Sequence, residues 1–291
     1  MHLVYNKRKF FGYTAPMLFF YSLFMFVPIV IAIYYSLTNY RGAGSFNFVG
    51  LKNYFKLFQD KVFWKAMLNT LKSTITTIAL LLPLSFLLAW TLRKETRINN
   101  LFKGIFFTSY CIGGIIIGLV WSFILDPSKG LLNNLLYAIG LDKFALEWIG
   151  GRVLTPYMVG IIGTWSSLGF CILLWTNGIK QLPIEVLEAS LIDGTGNWQQ
   201  MRYITLPLLK ETFKMIFVMQ FTGCLKVFEL VYALTGGGPN HFSETMVSYM
   251  YNTTFTSRMF SYGMAMAVVE FILAITVSLV FMRVTNEEVT G

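Results

Sequence analysis

Charge is what this chain has least of. Only 13% of its 291 residues are Asp, Glu, Lys or Arg, about half the share of an ordinary soluble domain. Acid is the scarcer sign, with 14 Asp and Glu against 23 Lys and Arg, a net charge of +9. The basic residues stand singly between long neutral runs, so the excess is no nucleic-acid footprint and no nucleic-acid partner is expected. Histidine is confined to His2 and His241, which leaves no H-E-x-x-H helix for zinc chemistry. No G-x-S-x-G nucleophile turn occurs, and no G-x-x-x-x-G-K-[ST] loop with which the chain could hold ATP phosphates itself. The cysteines Cys111, Cys171 and Cys224 lie far apart in apolar stretches without a C-x-x-C pair. They read as small buried hydrophobes, neither a disulfide nor a metal site. The chain is expected to be no enzyme, with no catalytic residue and no metal or cofactor of its own.

What the chain does have is apolar surface. Hydrophobic residues make up 55% of it and aromatics 17%, with a mean hydropathy of +0.60. A water-soluble fold of this size would leave too much of that exposed. Charges are missing altogether between Lys9 and Arg41, Lys72 and Arg93, Lys103 and Asp126, and Arg152 and Lys180. Each gap reaches the roughly 20 residues a helix needs to cross a bilayer core. Two further runs carry isolated charges, Lys226 and Glu229 in one and Glu270 in the other. The expectation is an all-α polytopic membrane protein, one transmembrane domain over residues 1–291. Its six transmembrane helices fall at about 11–37, 73–92, 104–125, 155–178, 213–234 and 261–282.

The first span follows Lys7-Arg8-Lys9, but its apolar run is too long for a signal peptide and no A-x-A-like site closes it. It reads as a retained helix with the N-terminus in the cytoplasm. The compact basic cluster Arg93, Lys94, Arg97 and Lys103 falls on the same side under that orientation. Both termini are then cytoplasmic. Outside, residues 41–72 interleave Lys with Phe, Tyr and Trp, the pattern of an amphipathic helix at the lipid interface.

The 180–210 loop is the longest on the cytoplasmic side. Pro183 suits the first turn of a helix, and Ile184, Leu187 and Leu191 recur at helical spacing. Asp193-Gly194 supplies a break, and Asn197 can cap a second short helix. A solvated connector is the plain alternative. An apolar face on a loop of this length needs a partner to bury it.

Glu188-Ala189-Ser190, then Asp193-Gly194, then Ile204-x-Leu206-Pro207 resembles the EAA loop of binding-protein-dependent ABC importer permeases, with Ser190 where Ala is common. Gly50-Leu-Lys-Asn53-Tyr54, Phe63-Trp64, Asn69-Thr70 and Thr235-Gly236-Gly237-Gly238-Pro239 with Thr245 and Tyr249 resemble the maltose-type sugar branch. The resemblance implies a bacterial inner-membrane subunit that pairs with a second homologous permease. It implies two copies of a cytoplasmic ATPase subunit that use ATP and Mg, and an extracytoplasmic solute-binding protein that delivers a carbohydrate, an oligosaccharide above all. The 180–210 loop becomes a coupling helix docked on the ATPase, and Gly236 to Pro239 fall on the binding-protein side. Glycerol-phosphate or another polyol is the competing cargo, and an ATP-independent secondary transporter the competing class.

Lys226 and Glu229, three apart, can meet on one helix face. They are either a self-neutralising pair or part of a substrate path, with Phe228 and Tyr232 to stack on sugar rings. Glu270 is open in the same way, as cavity lining or as partner to a group on the sister subunit.

Overall fold

The computed structural model describes residues 7–286, and the side chains of residues 14–283. The side chains of Lys7, Arg8 and Lys9, expected on the cytoplasmic side, lie outside that range. Every extended element among the described residues is a helix. In chain order these are α1 (Thr14–Ser36), α2 (Lys52–Gln59), α3 (Lys61–Thr91), α4 (Arg97–Tyr110) and α5 (Gly114–Leu125). They continue with α6 (Leu131–Ala138), α7 (Thr155–Lys180), α8 (Ile184–Ile192), α9 (Lys210–Leu225), α10 (Glu229–Thr235) and α11 (Phe260–Asn286).

Four of them, α1, α3, α7 and α11, are long and apolar enough to cross a membrane unbroken. Two expected spans are not single helices. The 104–125 run is broken at Cys111–Gly113, where α4 and α5 bend by 93°, and the 213–234 run is broken at 226–228, where α9 and α10 bend by 44°. The total is six if each bent pair crosses as one. Such breaks need backbone partners from neighbouring protein, because lipid offers none. The expected span at 73–92 begins earlier, at Lys61. Only Lys52–Gln59 of the 41–72 stretch forms a separate amphipathic helix, leaving Phe55 and Phe58 exposed.

The chain divides into two compact units. One takes the residues up to Asp60 together with Met250–Ile272. In it the Asn53 amide donates to the carbonyls of Ser36 (2.7 Å) and Thr38 (2.8 Å), which ties α2 to the end of α1. The Tyr54 hydroxyl meets Ser36 Oγ at 2.7 Å. Tyr262 donates to Asp60 at 2.6 Å. The hydrophobic side chains of α1 are exposed all round the helix, the mark of a segment whose solvent is lipid.

The other unit takes Lys61–Tyr249 and the residues from Leu273 on. Its centre is the α3–α7 pair, where Trp175, Ile172 and Cys171 pack with Leu81 and Phe86. The Trp175 indole donates to Ser85 Oγ at 3.1 Å, which satisfies both polar groups inside the core. A second cluster joins α5 to α10 through Ile117, Leu230, Val231 and Leu234. There Gly118 permits backbone contact: a Cβ on it would stand 2.8 Å from the Leu230 carbonyl oxygen and 2.6 Å from the Ala233 methyl. The second halves of the two broken spans therefore pack on each other.

Candidate functional site

A cavity of about 300 Å³ opens where the two broken spans change direction. Its polar wall is Ser73 and Thr77 of α3, Tyr110 at the end of α4, Ser166 and Ser167 of α7, and Gln220 of α9. Val159, Cys224, Val227 and Leu230 complete it with apolar surface, and no acidic or basic side chain lines it. The Tyr110 ring is stacked on Phe170 at 4.5 Å between centroids. Gln220 donates to Cys171 Sγ at 3.2 Å, and Thr77 Oγ1 donates to the Gly160 carbonyl at 3.0 Å, so both are held in place. Hydroxyls, an amide and an aromatic face without charge suit a neutral polyhydroxyl solute. Of the cysteines, Cys171 is buried and Cys224 half-buried, but Cys111 is exposed at the α4–α5 break, against the expectation for it.

None of the expected substrate-path residues Lys226, Phe228, Glu229, Tyr232 and Glu270 lines this cavity. From their stretch the wall takes Val227 and Leu230 instead. Lys226 ends α9 as its C-cap and Glu229 begins α10, so the two do not share one helix face as expected. No ion pair joins them, both are exposed, and the break between their helices is the reason. Glu229 instead covers Gly114, where a Cβ would come within 3.0 Å of its Oε2. That places its carboxylate at the N-terminal end of α5, where negative charge is favoured. Phe228 and Tyr232 lie against each other, ring centroids 5.3 Å apart. Glu270 belongs to the first unit and is half-buried on α11.

Past α10 the chain turns at Gly236 (φ 62°) and Gly237 (φ 88°) and passes a cis Gly238–Pro239 bond. Two stretches noted separately in the sequence meet here. The Asn69 amide donates to the carbonyls of Phe242 and Glu244, each at 3.1 Å. Thr70 Oγ1 accepts from the Met246 N–H at 3.0 Å. Lys65 donates to the Asn240 carbonyl at 2.6 Å and covers the Phe242 ring at 4.1 Å. Inside the loop, His241 pairs with the buried Glu244 carboxylate.

The loop after α7 forms as expected up to its turn. Pro183 is the N-cap of α8, and Gly194 adopts φ 80° just beyond it. An L-residue there would lie in the left-handed region that only glycine enters freely. Gly196, not Asn197, is the cap of the second helix, which begins at Asn197 and widens into a π-helical stretch, Gln200–Thr205, before Leu206–Leu208. Ser190 is buried, and its hydroxyl donates to the Leu187 carbonyl (2.7 Å) and accepts from Gln200 Nε2 (2.9 Å). Thr195 Oγ1 donates to the Ser190 carbonyl at 2.6 Å. Met201 and Leu209 are buried in the α3–α7 core, with Leu206 packed against it and Ile204 half-buried. Pro207, Glu188, Ala189 and Asp193 are exposed. Ile184, Leu191 and Ile192, on α8 with Glu188, are also exposed, as is Trp198 beyond the turn.

The chain matches known proteins over most of its length. The family described as "Binding-protein-dependent transport system inner membrane component" matches residues 81–289. "Probable ABC transporter permease protein YurN" of Bacillus subtilis is 35% identical over 283 residues, 96% of this chain and 97% of that protein. "Diacetylchitobiose uptake system permease protein NgcF" of Streptomyces coelicolor is 31% identical over 280 residues, 92% of this chain and 79% of that protein. A chain of a bacterial ABC transporter involved in import of the acidic polysaccharide alginate has the same fold. Its TM-score is 0.82 at 20% sequence identity, covering 97% of this chain and 96% of that one.

Proposed function

Because the chain belongs to the family of inner-membrane components of binding-protein-dependent transport systems, we propose that it is the membrane-spanning subunit of an ATP-driven importer whose cargo is a neutral oligosaccharide. The uncharged cavity at the two span breaks carries this reading. Hydroxyls and an amide can exchange hydrogen bonds with sugar hydroxyls, and a stacked aromatic pair offers an apolar face to a sugar ring. An anionic cargo such as glycerol phosphate would find no cation in that wall. The oligosaccharide named for the Streptomyces relative agrees with this choice.

In this reading the whole chain works as one permease domain beside a second, homologous one, with both termini cytoplasmic. A solute-binding protein docks outside, near Gly236, Gly237, Gly238 and Pro239. The exposed residues around Glu188 dock on a cytoplasmic ATPase subunit, one of two that bind ATP and Mg. Apolar side chains flanking a single carboxylate are the composition of a surface meant to be covered. The Gly194 turn and the bonds of Ser190 make α8 a stiff lever. Its movement reaches the cavity through α7, which carries both the lever and Ser166 and Ser167. Lys226, Phe228, Glu229 and Tyr232 stand at the approach to the cavity on the α10 side.

Uptake into proteoliposomes, reconstituted with partner subunits and binding protein, tests the cargo. The panel holds a neutral disaccharide, a longer oligosaccharide and glycerol phosphate, each with ATP and with a non-hydrolysable analogue. Neutral oligosaccharide uptake that requires hydrolysis is expected. Uptake of glycerol phosphate alone, or uptake without hydrolysis, overturns the proposal. For orientation, Ile192→Cys is expected to react with an impermeant thiol reagent only in opened cells.

A further inference from the structure

The cytoplasmic turn 92–96, between α3 and α4, carries two polar links that reach both ends of the lever. Arg93 Nη2 donates to Asn197 Oδ1 at 2.8 Å, beyond the Gly194 turn. Glu95 Oε1 lies 2.6 Å from Lys180 Nζ, at the last residue of α7, just before Pro183. We propose that this turn is a second transmission element, a clamp that makes the lever and the inner ends of α3 and α4 move as one body. The proposal rests on the reading of α8 as the ATPase-docking lever.

Each arm is anchored on its own side. The Arg93 guanidinium lies over the Trp90 ring at 3.8 Å and also donates to the Trp90 carbonyl at 2.7 Å, so it is fixed to the end of α3. Glu95 holds a second lysine, Lys103 of α4, at 3.3 Å, and Lys103 is buried. The Asn100 side chain accepts from the same ammonium at 3.3 Å. The turn itself is braced: Thr96 Oγ1 caps α4 by accepting from the Asn99 N–H, and Asn99 Nδ2 donates to the Lys94 carbonyl.

An isolated exposed ion pair holds little. Here the pairs form a network across the turn, α4 and α7, and one member, Lys103, is desolvated. The Glu95 carboxyl is held down to about 2, first by its bond to Lys180 and then by those to Asn100 and Lys103, so it stays ionised at neutral pH. The consequence for transport is geometric. α3 carries Ser73 and Thr77, and α4 ends in Tyr110, so three of the polar groups of the cavity stand on helices that the clamp holds. It adds polar links to the apolar contact that Met201, Leu206 and Leu209 make with the α3–α7 core. Arg93 and Glu95 are positioning residues, in the turn and not among the residues that line the cavity.

The test uses the assembled transporter in proteoliposomes, reading solute moved per ATP hydrolysed, with ATPase retained on the purified complex as control. Arg93→Met combined with Glu95→Gln opens both arms without adding charge. Solute per ATP is expected to fall at least roughly fivefold, the low end of coupling between sites, with the ATPase still bound. A purely structural brace would lower the yield of complex and leave that ratio unchanged, and an unchanged ratio overturns the clamp. If that variant does not assemble, Arg93→Cys with Asn197→Cys, joined by a bis-maleimide in a Cys111→Ala background, gives the second arm. The cross-linked complex is expected to keep its uptake, since the joined parts move together, and loss of uptake on cross-linking overturns the proposal. Glu188→Lys is measured in parallel. If that complex keeps both its ATPase and its uptake, the lever reading fails and the clamp with it. An unchanged ratio in the Arg93 and Glu95 variant alone removes the clamp and leaves the lever standing.

Discussion

The loop after α7 and the loop after α10 are both turned by glycines with positive φ, Gly194 in one and Gly236 and Gly237 in the other. They treat their side chains in opposite ways. The loop after α7 buries Ser190, Gln200 and Thr205 and leaves Ile184, Leu191, Ile192 and Trp198 in the open. The loop after α10 buries Ser243, Glu244 and Thr245 and spends its backbone carbonyls on Asn69 and Lys65 of α3. One loop is finished within the chain. The other is braced from within by polar bonds so that an apolar surface can face outward, and apolar surface held rigidly outward marks a place for another protein.

The contrast breaks most sharply at Gly194. Gly194→Val forces a β-branched residue into left-handed backbone, a strain of about 1–2 kcal/mol, although nothing crowds the position. The variant is expected to insert normally yet lose most uptake, with the ATPase detached or uncoupled. Uptake per inserted protein and ATPase co-purification are the measurements, and parental values for both would show that the turn is dispensable. Asn69→Ala should do the reverse. It strips the donor from two carbonyls of the loop after α10, at about 1–3 kcal/mol for groups left unpaired. Hydrogen exchange over residues 238–245 should rise, while ATPase co-purification should stay at the parental level.

A smaller effect is expected at the α9–α10 break. Since Lys226 and Glu229 stand apart there, Lys226→Met and Glu229→Gln should act independently, with a coupling term near zero in a double-mutant cycle. Rescue of either single variant by the double would mean that the pair does form. The smallest response concerns pH. Lowering the Glu95 carboxyl to about 2 in the folded chain stabilises the fold above the ordinary carboxylate range, and that contribution fades only as pH falls towards 2. The thermal stability of the parent and of Glu95→Gln should therefore differ by a constant amount across the neutral range. A difference that closes between mildly acidic and neutral pH would contradict the bonding described for Glu95.

The helix and turn after α7 are legible because their signals are contiguous: helix spacing and a glycine lie within one loop. The pairing of Ser190 with Gln200 is not, since a serine in place of alanine looks neutral until a neighbour uses its hydroxyl. The cavity escaped for a different reason. Its wall comes from five helices and the 226–228 break, and no one of those stretches has a composition that stands out. The hint in the sequence is polarity inside otherwise apolar runs, at Ser166-Ser167 and at Gln220, and the charges at Lys226 and Glu229 stand out above it. Hydropathy found the broken spans as spans but could not find their bends, because a window average does not register where a run of hydrogen bonds stops. Cys111-Ile112-Gly113-Gly114 was the one local clue to the first of them.

The close packing of α5 on α10 also bears on how the protein is made. The first N–H groups of α5 have no partner earlier in that helix, and a bilayer supplies none. Its glycine face is shaped for Leu230, Ala233 and Glu229, which the ribosome produces only after α7 and α9. During synthesis that face of α5 stays uncovered until α10 has been made. Biogenesis of this chain is thus not a sequence of independent insertions, and truncation before Glu229 should leave a segment that quality-control proteases recognise.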